Sequence, residues 1–378
     1  MTVIDLPHRD RAARTSFKVE LYDGGNLAAA GWPSLTDDCD LKMYVFQSRE
    51  FLDVWLNTIG KAGGIEPHLV VVKDGEGRPI LYLPLAIESK FNIRLLRFMD
   101  CGVADYNAPI VAAGGTPSRL EFNALWSDVL ATLPGFDVID LKKIASHVSG
   151  TVNPLTYLDC VPFSDSGHSI ALTGPEKAGA SPSLVRLQRR LKRAHKGLCD
   201  IGEPAYVVNP VPALAQSIMQ KLFELKRRKY AQTDVPDFLD APGVGDFYRQ
   251  VLSPRWIGKL GHLSALTIGG KVISAHLGFV GRGRFYYIFP AFDAEHERYR
   301  PGYLLLDHLI DRSIKDGLEV FDLGIGDASY KKTWETHNLA LYSHERATSA
   351  AGQVYLQMRR VRRFVKAGRV RTWFRPAG

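Results

Sequence analysis

The chain repeats a pattern of elements, and that repeat limits what it can fold into. A β-branched run from His68 to Val72 meets a turn at Asp74-Gly75-Glu76-Gly77 and a second apolar run from Ile80 to Ile87. Run, turn and run predict a hairpin. Later, Leu263 to Ile268 is followed by Gly269-Gly270 and Val272 to Val280, which predicts another hairpin. A further strand is expected from Arg284 to Pro290, across a turn at Gly281-Arg282-Gly283. An amphipathic helix is predicted over Ser118 to Leu133, with Gly135 and then an apolar strand, Val138 to Leu141. The same order returns with Gly302 to Lys315, Gly317, and Val320 to Leu323. Glycine suits a left-handed cap at a helix end because it has no Cβ. Helices are also expected before each hairpin, over Ser48 to Ile59 and Gly245 to Leu252. One order of helix, hairpin, helix, glycine and strand, met twice, predicts an internally duplicated α/β chain with mixed sheets.

At 378 residues there is room for two such units, each able to bury a core. The stretch Ser164 to Ser183, rich in Ser, Gly and Pro, reads as the connection between them. Residues 1–165 therefore form the expected first domain, 166–350 the second, and 351–378 a basic tail. Apolar residues at 46% and charged residues at 23% suit a soluble globular protein. No run is long enough to span a bilayer and no signal-peptide core stands at the start, so the expected compartment is the cytoplasm. Cys39, Cys101, Cys160 and Cys199 form no C-x-x-C pair, and buried reduced thiols are expected. No metal site is expected.

The formal charge is +8, and the eight cations between Ala351 and Gly378, with no acid among them, account for all of it. The remainder is close to neutral, which argues against DNA binding by composition. Two other basic runs are local: Arg186, Arg189, Arg190, Lys192, Arg193 and Lys196 on one predicted helix, and Lys226 to Lys229.

Two segments carry candidate chemistry. In the first, the strand Phe285 to Pro290 is followed by a loop and then Tyr299-Arg300-Pro301-Gly302-Tyr303. Pro belongs in a first helical turn, where its missing N–H had no partner. The free N–H groups and the helix dipole there would suit a pyrophosphate, with Arg298 and Arg300 adding charge. A plain helix start with solvated arginines is the bland alternative. In the second, Phe321-Asp322-Leu323-Gly324-Ile325-Gly326 leads to Tyr330-Lys331 and Trp334. The third glycine of a dinucleotide fingerprint is absent. Asp322 could equally be a structural carboxylate holding local N–H groups.

Together, Tyr-x-Pro-Gly-x-Leu-Leu-Leu (Tyr299 to Leu306), Phe-Asp-Leu-Gly-x-Gly (Phe321 to Gly326) and Tyr-Lys-x-x-Trp (Tyr330 to Trp334) resemble GNAT-type acetyltransferases associated with cellulose or exopolysaccharide synthesis, relatives of the FemAB/FemX peptidyltransferases. Phe46-Gln47-Ser48, Trp55, Leu83-Pro84-Leu85 and Asp105-Tyr106-Asn107-Ala108-Pro109 resemble that family's first half, and Leu187 to Lys196 its basic helix. The resemblance implies tandem GNAT-like acyl-CoA N-acyltransferase domains. It implies acetyl-CoA or another acyl-CoA in the second half, with pyrophosphate at Arg300, Gly302 and Tyr303 near Arg298, and pantetheine beside Tyr287, Ile288 and Phe289. Tyr299 and Leu304 stand where the usual phosphate loop carries Gln or Arg and a small residue, so another acyl donor stays open.

Acyl transfer from a thioester needs a neutral nucleophile, oxyanion stabilisation and a proton for the leaving thiolate. A backbone N–H of the Tyr286 to Phe289 strand is the expected oxyanion donor, and Tyr330 the expected proton donor. Lys331 is a candidate to stabilise negative charge or hold an anionic acceptor. Asp322 or His276 is the candidate base, although a histidine on an apolar strand is commonly a core residue. Asp105, Tyr106 and Trp334 are the expected acceptor-binding residues; Trp334 could simply pack.

Three functions remain open on sequence alone. One is acyl transfer to a sugar, amino sugar or envelope precursor. Another is Fem-like transfer from charged tRNA. The last is a non-catalytic module on this fold, joined to an anionic membrane by its tail. The tail's arginines interleave with Val354, Leu356, Met358, Val361, Phe364, Val365, Val370, Trp373 and Phe374, a composition suited to an interfacial helix. Each basic run could also be a solvated face, and the tail could dock on its own body.

Overall fold

The computed structural model describes residues 17–37, 40–112, 114–174, 181–232 and 237–373, with side chains of the last helix described through residue 362. The first half supplies β1 (Lys18–Asp23), α1 (Arg49–Trp55), β2 (Glu66–Lys73), β3 (Pro79–Lys90), β4 (Ile93–Phe98), α2 (Arg119–Thr132), β5 (Val138–Ala145) and β6 (Val161–Pro162). Then follow β7 (Gly167–Ala171), α3 (Pro182–Cys199), β8 (Pro204–Val208), α4 (Pro212–Ala231), α5 (Val244–Val251), β9 (Gly261–Ile268), β10 (Lys271–Gly281) and β11 (Arg284–Phe292). The chain ends with α6 (Pro301–Lys315), β12 (Val320–Ile325), β13 (His337–Leu339), β14 (Leu341–Ala347) and α7 (Ala350–Trp373).

Both hairpins and both strand–helix–strand crossovers lie where the repeat places them. In each half an antiparallel run (β2-β3-β4, β9-β10-β11) is followed by a helix and a strand parallel to the last of the run. The fold is therefore mixed α/β with two mixed sheets, ordered β1-β2-β3-β4-β5-β14-β6 and β8-β9-β10-β11-β12-β7-β13. A short pair, Leu41–Lys42 with Ile110–Ala112, extends the first sheet from β3.

The halves exchange strands. Part of the expected connection, Gly167–Ala171, is not a loop but a strand between β12 and β13 in the second sheet. Its five residues sit between Ser- and Gly-rich flanks that hide the pairing. Conversely, β14, which follows the second unit in sequence, inserts between β5 and β6 of the first sheet. A division at 350 thus places Leu341–Ala347 with one sequence unit and the other sheet.

Two local expectations fail for steric reasons. Gly135 is not a left-handed cap: α2 stops at Thr132 and Leu133 is extended, because Pro134 disfavours a helical residue before it. Gly317, with φ of 72°, does end α6 as expected. Cys101 and Cys199 are exposed and Cys160 is half-buried, so the described thiols are free but not core residues. Cys39 lies outside the described residues.

One large core is shared by both halves. Phe46 and Phe51 of the first half pack edge-on against Phe279, Tyr286 and Phe247 of the second. Tyr286 Oη accepts from Val45 N at 3.1 Å. Aromatic contacts and a bridging hydrogen bond hold the site's two walls together.

Candidate active site

The site forms where β11 and β12 part. Their parallel register covers only Arg284 to Tyr286 against Val320 to Asp322, although β11 runs on to Phe292. On its other edge β11 carries a bulge: Tyr287 faces Gly278 and Phe289 faces Leu277, leaving Ile288 as the extra residue. A bulge removes one residue from the ladder and re-aims its backbone. A cavity of about 290 Å³ occupies the gap, lined by Asp105, Tyr287, Ile288, Pro290, Gly324, Tyr330 and Lys331 among others.

Asp105 reaches this gap from the first half. Its Oδ2 accepts from Ile325 N at 2.9 Å, and burial pushes the carboxyl up to about 6. Gly324 makes room for it. A Cβ there would stand 2.5 Å from Asp105 Oδ2, and φ of 75° also favours glycine. Tyr330 lines the same cavity, and burial raises its phenol to about 12. It therefore keeps its proton through neutral pH.

Several sequence candidates have other duties. Asp322 is 1% exposed and saturated: Oδ1 accepts from Tyr106 Oη and Gly324 N, both at 2.8 Å, and Oδ2 from Arg284 at 2.8 Å. It is a structural carboxylate, not a free base. His276 is buried in the second half's core, stacked on Tyr287 at 4.3 Å with neither ring nitrogen hydrogen-bonded. Burial holds its basicity well below the usual histidine range, and it does not line the cavity. Lys331 lines the cavity, but its Nζ donates to Gly324 O at 3.0 Å and Ile325 O at 2.7 Å, bracing the end of β12. Burial lowers its affinity for a proton. Tyr106 is a buried tie between halves, and Trp334 packs in the core at 5.8 Å from Tyr303. Neither presents a face to an acceptor.

A residue missed in the sequence holds the loop that carries Tyr330 and Lys331. His168, on the exchanged strand β7, faces Asp327 through Nε2 at 3.0 Å and Glu335 through Nδ1. The two carboxylates bracket the loop, and the His168 contact keeps Asp327 below the usual carboxylate range. No local signal could have marked it, because partners more than 150 residues away define it.

Beside the gap, α6 begins at Arg300, in the left-handed region, with no side chain capping its free N–H groups. Arg298 lies over Tyr299 at 4.6 Å and Arg300 over Tyr303 at 5.9 Å, both cations exposed. The corresponding helix of the first half, α2, is closed: Ser118 Oγ accepts from Glu121 N, and the Glu121 carboxylate accepts from Ser118 N at 2.9 Å. That capping box satisfies the donors an anion would need and adds a negative charge. Of these two corresponding starts, that of α6 is the one that suits an anion.

Basic groups crowd near that start. Gly197 of α3 lies against Tyr299, which places the end of the basic helix beside α6. Its cations Arg186, Arg189, Arg190, Lys192, Arg193 and Lys196 are exposed, and none pairs with an acid among the described residues. In the other basic run, Arg227 pairs with Asp237 and Arg228 with Glu224. Lys226 instead lies over the Phe289 ring at 4.3 Å, where burial lowers its ammonium to about 8.

The parted strands, the bulge, Tyr330 and the open start of α6 all fall within one stretch of the chain. Residues 186–332, from α3 to the Tyr330 loop, match the acetyltransferase (GNAT) domain family. No curated protein matches the chain in sequence. Among solved structures, FemX aligns with a TM-score of 0.53 at 9% identity, over 79% of this chain and 92% of its own. The C-terminal domain of a candidate lysylphosphatidylglycerol synthetase from Agrobacterium fabrum aligns with a TM-score of 0.51 at 12% identity, over 81% and 90%. A conserved protein of unknown function from Bacteroides thetaiotaomicron gives 0.50 at 10% identity, over 78% and 88%. At these identities the likeness is one of fold.

Proposed function

We propose that the chain moves an acyl group from acyl-CoA to an amine or hydroxyl of a sugar, amino sugar or envelope precursor. The observation that carries this reading is the open start of α6 beside the parted strands, set against the capped start of α2. Gly302 and Tyr303 N–H groups, with Arg298 and Arg300, would hold the pyrophosphate, and pantetheine would lie along Tyr287 to Phe289.

Asp105 is the best-placed base. Of the two carboxylates that line the cavity, Asp327 is tied to His168, while Asp105, with a value of about 6, stays ionised yet basic at neutral pH. It takes the proton of the attacking amine or hydroxyl. The backbone N–H groups freed at the Ile288 bulge would receive the oxyanion that develops on the acyl carbonyl. Tyr330 gives its proton to the departing thiolate. Asp105 comes from the first half and the bulge from the second, so neither half holds the set alone. An acceptor bearing phosphate or carboxylate would suit Lys226, behind Phe289.

A second reading rests on the unpaired cations of α3. They would suit the backbone of a charged tRNA as acyl donor, in the manner of a Fem-like transferase. Calorimetry separates the two. Acetyl-CoA should bind the wild type and fail to bind Gly302→Glu, which sets a carboxylate in the anion cradle. A Cβ at Gly302 meets only the exposed Phe292 ring, at 3.2 Å, so the variant should fold. Absence of wild-type binding, with tRNA-dependent activity lost on reversing the charge of Arg190 and Arg193, would favour the second reading.

A further inference from the structure

The last helix has two apolar faces, and only one is used. On the inner face Leu356 packs with Leu95 and Val138 of the first sheet. Arg359 on that side reaches Asp140 at 3.2 Å and Glu345 at 3.0 Å. Gly352 lets the helix approach closely: a Cβ there would stand 2.0 Å from Asp137 O. These contacts fix α7 on the body and dictate which side faces outward.

The outward side repeats at helical spacing. Val354, Met358 and Val361 are 59%, 55% and 60% exposed and fall four and three residues apart, so they share one face. With Gln353, Gln357 and Arg362 they line a shallow groove. Nothing among the described residues packs on them. Arg360 and Arg362 are exposed beside them. Large apolar side chains seldom gather in a helical row on an outer surface without a partner. At the nearby hairpin tip, Phe91 is 88% exposed, two residues from Ile93, which packs against the cluster under α7.

Charge selects the partner. From Ala351 to Gly378 there are eight cations and no acid. A row of apolar side chains on a helix rich in arginine, pinned so that the row faces away from the body, fits an anionic lipid surface. We propose that α7 is a membrane-contacting helix that lays Val354, Met358 and Val361 into the headgroup region of an anionic bilayer, with Arg360 and Arg362 on the lipid phosphates. Spanning is not involved, since no described helix is long and apolar enough to cross a membrane. The contact would hold the first sheet against the surface and does not depend on which acyl donor the other half binds.

Vesicle flotation with the full chain tests this, using phosphatidylglycerol vesicles beside phosphatidylcholine vesicles. Wild type should float with the first and not the second, and added salt should release it. The double variant Met358→Glu/Val361→Glu should bind on the order of tenfold or more weakly, with an unchanged thermal melt because both positions are exposed. Equal binding to both vesicle types would overturn the proposal, as would a double variant that floats like wild type. A wild-type dimer in vesicle-free sedimentation, dissolved by the same variant, would also overturn it by assigning the row to a second copy of the chain.

Discussion

Tyr106 donates its hydroxyl to Asp322 at 2.8 Å across a sequence separation of 216 residues. That bond joins the first half to the strand that bounds the cavity, and it shares the carboxylate with Arg284. Asp322→Ala would leave the buried guanidinium uncompensated, and we expect a loss of about 3–5 kcal/mol in urea unfolding. Tyr106→Phe removes one bond to a charged acceptor while Gly324 N and Arg284 remain, and should cost about 2 kcal/mol. Equal effects from the two substitutions would contradict this picture.

As the proposed base, Asp105 should set the acid limb of the reaction. A base must be deprotonated to accept a proton, so kcat/KM should rise with pH and level off above about 6. Asp105→Asn should lower it about 100-fold or more and remove that limb. Stability should move the other way. The folded carboxyl lies above its ordinary 3.8, so the folded state binds more protons and loses stability as pH rises from about 4 through 6. At pH 8 Asp105→Asn should therefore melt no lower than wild type.

The two helix starts make a paired prediction. Ser118→Ala opens the capping box of α2 and should cost about 1 kcal/mol, with no change in acyl-CoA binding. Gly302→Glu should abolish that binding with little effect on the melt, because a carboxylate in the first turn suits the helix dipole. A calorimetric titration and a thermal melt on each variant give the four readings.

His168 ties Asp327 and Glu335 at either end of the Tyr330 loop. His168→Ala should speed amide exchange over residues 327–335 by about tenfold or more, for a global loss of only about 1–2 kcal/mol. KM should rise, since the loop forms one wall of the cavity. An unchanged exchange rate in that loop would mean that the ring does not hold it.

Much of the fold was decided by local sequence. The β-branched runs around Gly269-Gly270 and Asp74 to Gly77, and the apolar period of Gly302 to Lys315, fix hairpins and crossovers through short-range sterics and the need to bury one face. The open helix start could also be read there, from Pro301 and Gly302 after a strand. The exchange of Gly167–Ala171 and Leu341–Ala347 between sheets could not, because a short strand has no preferred partner until a sheet edge is offered to it. Nor could the roles of the polar residues. Asp322 and Asp105 look alike as letters, yet one is saturated by Tyr106, Gly324 and Arg284 while the other faces a cavity with a raised carboxyl pKa. A carboxylate's chemistry is set by its burial and by the donors around it, and here Tyr106 reaches Asp322, and Ile325 reaches Asp105, from the opposite half.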